Sequence, residues 1–172
     1  MSQRGRDITR SVEITLEEAY HGTTRIVRLN GQRLEVKIPA GVKTGTKIRV
    51  RSKGPSLPDV EWSGDLYLKV EIQPHDIFER DGDDLYCDLT VDLYDAILGG
   101  EVYVPTLSGN LRLRLPSVTQ NGRVFRLKGQ GMPRLNADQQ WGNLFARVLV
   151  SLPEDLTDEE LDLFERLQEF RL

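Results

Sequence analysis

Hydrophobic and polar residues alternate along most of the chain. Leu34, Val36 and Ile38 are separated by Glu35 and Lys37, and Ile48 and Val50 by Arg49. A period of two sends successive side chains to opposite faces, so these runs predict half-buried strands. The same pattern recurs in Val12/Ile14/Leu16, Leu66/Leu68/Val70/Ile72, Leu111/Leu113/Leu115 and Leu144/Ala146/Val148/Val150, with turn signals at Asn30-Gly31, Gly41 to Gly45, Ser108-Gly109-Asn110 and Asn121-Gly122. Glu17 to Tyr20 and Tyr94 to Ile97 interrupt the alternation and read as short helical turns ended by Gly22 and Gly99. Near the end the period changes. Thr157 and Glu160 form a capping box, and Leu161, Phe164, Leu167 and Phe170 follow at helical spacing with Leu163 alongside. An isolated helix of this length is marginal, so it is expected to pack on its own sandwich or, failing that, on a partner.

The chain also aligns with itself. At an offset of 77, residues 16–54 match 93–131 without a gap, with nine identities that include Gly22/Gly99, Pro39/Pro116 and Gly45/Gly122. At an offset of 78 the match resumes, Gly64-Asp-Leu-Tyr against Gly142-Asn-Leu-Phe. Two copies of one small β-sandwich are the economical reading. The expected division is a tail at 1–9, a first sandwich at 10–80, a second at 81–153 and a helix at 154–172. The charged stretch Glu79 to Asp84 between the copies suits a hinge.

Composition narrows the class. The 172 residues are 38% hydrophobic with a net charge of -4, which excludes a disordered chain. One cysteine, Cys87, and two histidines, His21 and His75, exclude a disulfide framework and a zinc cluster, so no metal and no cofactor are expected. Without an apolar run of about 18 residues or an apolar leader, a cytoplasmic protein with no membrane partner is expected. The net sum hides a strong asymmetry. Residues 25 to 53 hold nine Lys/Arg and one acid, while 154 to 172 hold eight acids and two bases. The basic block points to an acidic partner: a peptide tail, a nucleic acid or the chain's own C-terminus. Within it, the strand Arg25 to Leu29 shows Arg25, Val27 and Leu29 on one face and Ile26 and Arg28 on the other, so both faces carry apolar character.

Catalysis is not expected. Pro74-His75-Asp76 reads as a structural turn, Cys87 as a buried thiol in an alternating strand, and Gly129-Gln-Gly131 lacks the strand-to-helix context of a phosphate loop.

The ordered series Leu16-Glu-Glu-Ala-Tyr-His-Gly22, Ile38-Pro-Ala-Gly-Val42, Gly64-Asp-Leu-Tyr67, Phe78-Glu-Arg-Asp-Gly-Asp-Asp-Leu85, Leu98-Gly-Gly100, Val104-Pro-Thr-Leu107 and Lys128-Gly-Gln-Gly-Met-Pro133 resembles the C-terminal region of DnaJ-family co-chaperones, the 40-kDa heat-shock class. The J domain, the Gly/Phe linker and the four zinc-binding Cys repeats have no counterpart in these residues. The chain is therefore similar to the substrate-binding fragment of a zinc-free, curved-DNA-binding-protein type. The resemblance implies two tandem sandwiches and a shallow groove on the first, formed by Val12, Ile14, Arg25, Val27, Leu29 and Phe78, for extended segments of unfolded clients. It implies that Arg25 and Arg28 meet the acidic tail of the 70-kDa heat-shock chaperone, and that a homodimer forms through Leu161, Phe164, Leu167 and Phe170. Two other readings stand beside it: DNA binding through 25–53, or a purely structural dimerisation arm.

Overall fold

The computed structural model describes residues 7–29, 31–50 and 65–172; the side chains of Leu29 and Gln32, and residues 51–64 with Arg51 and Lys53 of the basic block, lie outside the described residues. Eleven strands and three helices are described: β1 (Ile8–Ile14), α1 (Leu16–His21), β2 (Thr23–Leu29), β3 (Gln32–Ile38), β4 (Lys47–Val50), β5 (Leu66–Ile72), β6 (Glu79–Asp81), β7 (Asp84–Asp92), α2 (Leu93–Leu98), β8 (Gly100–Thr106), β9 (Gly109–Leu115), β10 (Val124–Leu127), β11 (Leu144–Ser151) and α3 (Asp158–Glu169). The all-β class with a C-terminal helix is the one the alternation predicts. The chain forms two compact units. One comprises the chain through Cys87 with 106–109 and 126–145; the other comprises 88–105, 110–125 and 146–172.

The repeat is written in the topology. The first copy builds a sheet in the order β1-β5-β4 with a separate hairpin β2-β3, and the second builds β7-β11-β10, extended by β6 beside β7, with a separate hairpin β8-β9. Equivalent turns close in the same way. Gly45 N–H donates to Val70 O at 2.8 Å and Gly122 N–H to Val148 O at 2.7 Å. Ile72 N–H reaches Thr44 Oγ1 at 3.1 Å, and Val150 N–H reaches Asn121 Oδ1 at 2.9 Å.

The first copy is a two-layer sandwich. Val36 from the hairpin meets Val50, Leu66 and Leu68 from the sheet, with Ile8, Val12, Val27, Leu34 and Ile48 packed around them. The alternation along β5 explains why: Leu66, Leu68 and Val70 are buried while Lys69 is exposed. Each fully buried aliphatic side chain of this kind contributes about 1.5–3 kcal/mol. Helix α1 is short because it is fenced at both ends. Thr15 Oγ1 accepts from Glu18 N–H at 3.1 Å and Glu18 Oε1 accepts from Thr15 N–H at 3.2 Å, while Gly22 at φ 77° turns the chain into β2.

Two segments differ from the sequence reading. The charged stretch 79–84, read as hinge-like, is strand β6 with the turn into β7, and within it Arg80 donates to Val42 O at 2.6 Å, Gly41 O at 3.0 Å and Gly82 O at 2.8 Å. Helix α3 carries the expected capping box at Thr157 and Glu160, but none of its residues is fully buried, and of its apolar residues only Phe164 is partly covered. Its apolar residues Leu161, Leu163, Leu167 and Phe170 face solvent, interleaved with Asp162, Glu165 and Glu169.

Candidate functional site

The hairpin β2-β3 positions the basic block. Its register pairs Leu29 with Gln32 and Arg28 with Arg33, continuing to Thr23 with Ile38. In a hairpin closed by a two-residue loop the closing pair exchanges backbone hydrogen bonds and the next pair does not. Residues 25, 27 and 29 therefore bond to β3, and Thr24, Ile26 and Arg28 turn their N–H and C=O groups away from it. The carbonyl of Arg28 shows that parity directly, accepting from Arg10 Nη1 of β1 at 3.1 Å. Among the described residues β3 is the sole strand paired with β2, so apart from the Arg10 bond to the Arg28 carbonyl this second edge of β2 carries no strand.

Of the six groove residues named from the sequence, five have described side chains, and these differ in exposure. Val12 and Val27 are half-buried and pack together against the sandwich core. Ile14 is 1% exposed and Phe78 5%; Phe78 nonetheless lines an open surface cavity with Leu16, Ile72 and His75. Arg25 sits beside Glu18, Nη2 to Oε1 at 2.7 Å, so its charge is already met. Partial burial raises the Glu18 carboxyl, but the Thr15 backbone, Thr23 and Arg25 outweigh it and hold the group below its ordinary value. Leu29 contributes its backbone to β2, while its side chain lies outside the described residues.

Phe78 is fixed from behind by His75. Nδ1 of His75 accepts from the N–H groups of Ile77 at 3.0 Å and Phe78 at 3.2 Å, and the two rings lie 5.1 Å apart. With Nδ1 accepting, the ring proton belongs on Nε2, which donates to Glu17 Oε1 at 2.6 Å. His75 thus ties the segment leading into β6 to helix α1, and Pro74-His75-Asp76 is a structural turn.

The outer face of the hairpin is where accessible chemistry collects. Ile26 is 55% exposed, beside exposed Thr24, Arg28, Arg33, Glu35 and Lys37. Arg28 and Arg33 stand directly opposite each other, and among the described residues no carboxylate forms a salt bridge with either. Like charges facing across two strands are destabilising, so this pair is poised for an anionic ligand. Sequence reasoning placed Ile26 and Arg28 on one face, and the Asn30-Gly31 loop held the further signal, since its length sets which residues face the free edge.

A family model for the DnaJ C terminal domain matches residues 8–153. The chain belongs to the DnaJ C-terminal domain family. That match covers both copies and stops before α3. A DnaJ C-terminal domain is a chaperone-type module, and membership gives this chain a co-chaperone role in general terms. Among the described residues no group of three or more metal-ligating side chains converges, and no helix is long and apolar enough to cross a membrane.

Proposed function

We propose that the free edge of β2 takes an extended polypeptide as an added strand, with Thr24, Ile26 and Arg28 supplying the main-chain bonds. The unpaired edge carries this reading, because backbone pairing accepts almost any sequence, as a binder of unfolded clients must. Ile26 offers an apolar contact, and the Arg28/Arg33 pair selects segments with carboxylates. An acidic tail of the 70-kDa heat-shock chaperone fits these demands, with Arg28 as the principal charge because Arg25 is held by Glu18. Burying one or two apolar side chains is worth roughly 3–6 kcal/mol, and ordering the peptide consumes much of it. Affinity per site is therefore about micromolar. A cytoplasmic homodimer joined through the exposed stripe of α3 would raise it by effective concentration.

The test is an NMR titration of the chain with a peptide ending Glu-Glu-Val-Asp. Amide shifts concentrated at 24, 26 and 28 are expected, and Arg28→Ala should weaken binding about tenfold at low salt. Shifts confined to α3 with β2 silent would overturn the site. Clients compete for the same edge, so excess peptide should also abolish suppression of aggregation of an unfolded test protein.

A further inference from the structure

In the second compact unit, Tyr94, Ile97 and Leu98 occupy positions i, i+3 and i+4 of α2, and all three are exposed, Leu98 to 72%. That spacing aligns them on one helix face. Val118 adjoins them, 63% exposed, with its N–H bonded to Ile97 O at 2.8 Å, and Ser117 Oγ bonded to Leu98 O at 3.1 Å. The patch is therefore continuous and anchored by main-chain bonds. Val118 also sits at φ 57°, a left-handed conformation that a β-branched residue adopts only under strain. A residue both strained and exposed does nothing for the core.

The first copy supplies the control. Its equivalent positions are Glu17, Tyr20, His21 and Gly41. There Glu17 is bound to His75, and Gly41, at φ 87°, is roofed by the chain itself: a methyl group on it would lie 2.5 Å from Pro133 O and 2.8 Å from Leu135 N. At the position of Val118 the first copy thus has a glycine covered by its own chain, and on the helix it has the polar Glu17 and His21, both exposed, where the second has the apolar Tyr94 and Leu98. The border of this apolar face is acidic. Asp92 caps α2 by accepting from Asp95 N–H at 2.8 Å, and the two carboxylates are close enough that Asp92 pushes the Asp95 carboxyl up.

We infer that the face formed by Tyr94, Ile97, Leu98 and Val118 is a second docking surface, for an extended apolar client segment flanked by Lys or Arg. It deepens the client-binding reading above and rests on it. The two surfaces have opposite charge preferences, the β2 edge for acidic segments and the α2 face for basic ones. Charge also decides against helix α3 of a second copy as occupant, since α3 carries Asp162, Glu165 and Glu169 among its apolar residues.

The experiment uses the full chain and two fluorescent peptides, one of Leu, Val and Ile with two Lys at each end, the other ending Glu-Glu-Val-Asp. Leu98→Ser should weaken the basic peptide about tenfold and leave the acidic one unchanged. Val118→Gly should raise the melting temperature by a few degrees by releasing the strained φ, yet weaken the basic peptide several-fold, a combination that a purely structural residue would not give. Asp92→Asn with Asp95→Asn keeps the cap and should cost threefold or more in low salt only. Basic-peptide binding unchanged in both Leu98→Ser and Val118→Gly would overturn the surface. Dissociation of a wild-type dimer by Leu98→Ser would also overturn it, assigning the face to a second copy. Should neither peptide bind the wild-type chain, the client reading itself falls.

Discussion

The two hairpins β2-β3 and β8-β9 descend from one pattern and differ where binding would occur. In the first, the residues turned to the free edge are Thr24, Ile26 and Arg28. In the second, the loop Leu107-Ser108 closes β8 on β9 with the same two-residue length, so the equivalent edge is Glu101, Tyr103 and Pro105. Proline has no N–H to give, and natural sheets use it to blunt an edge against strand addition. Glu101 adds a negative charge, partly met by Arg112 at 3.6 Å, where the first copy has Thr24. One fold therefore carries an open, basic edge and a closed, acidic one. Duplication preserved the core and left the edges free to diverge, because edge groups contribute little to burial.

The largest effect should come from exchanging the two residues at equivalent left-handed turns. Gly41→Val introduces side-chain atoms where even a methyl carbon would meet the Pro133 and Leu135 backbone at 2.5 and 2.8 Å, and it forces a β-branched residue to φ 87°. Overpacking against rigid backbone plus the strained φ should cost about 4 kcal/mol or more. Chemical denaturation monitored by fluorescence would measure it, and a loss below about 1 kcal/mol would mean that the roof over Gly41 is not tightly seated.

Next comes the edge itself. Ile26→Pro copies in β2 what Pro105 does in β8. The Ile26 N–H faces away from β3, so the hairpin should survive with a loss under about 1 kcal/mol, while binding of an acidic peptide should vanish. Val27→Pro, one residue along, removes a ladder bond and should cost about 3 kcal/mol. If Val27→Pro were the milder of the two, the parity assigned to β2 would be reversed. The converse change, Pro105→Arg, should add a second, weaker acidic-peptide site per chain, read as binding stoichiometry by calorimetry; one site retained would show that Glu101 alone keeps the edge shut.

Much of this was legible in the residues and some of it was not. Alternation gave the strands, because a half-buried sheet must send every second side chain inward. The repeat gave the two copies, because Gly22/Gly99 and Gly45/Gly122 recur where a turn demands a positive φ. The capping box at Thr157 and Glu160 gave the C-terminal helix its start, whereas the one at Thr15 and Glu18 was read only from the structure. What alternation could not decide was which buried side chains also reach a surface. Ile14 and Phe78 match the family's groove by position; both are almost fully buried, and Phe78 still lines an open cavity beside His75, a distinction that alternation alone does not carry. Main-chain parity was equally silent in composition, and it follows only from counting back from the hairpin loop. The significance of Val118 needed its φ, which no pattern of apolar residues encodes.

The smallest expected effect separates the copies by pH. The hydrogen bond from His75, together with backbone bonding, holds the Glu17 carboxyl below its ordinary 4.5 in the folded chain. A depressed carboxyl contributes stability that is complete above the unfolded value and is lost as pH falls through the folded one. The window therefore opens near pH 4.5 and extends below it. Glu17 is about half exposed, so solvent screening limits the contribution to a few tenths of a kcal/mol. Comparing melting temperatures at pH 6 and pH 3, Glu17→Gln should lower the first slightly and flatten the fall to the second. The second copy has Tyr94 in place of a carboxyl at this position, so Tyr94→Phe should leave the same difference untouched. An equal flattening in both variants would mean that the acid sensitivity arises elsewhere and that the tie between α1 and His75 is not what distinguishes the first copy.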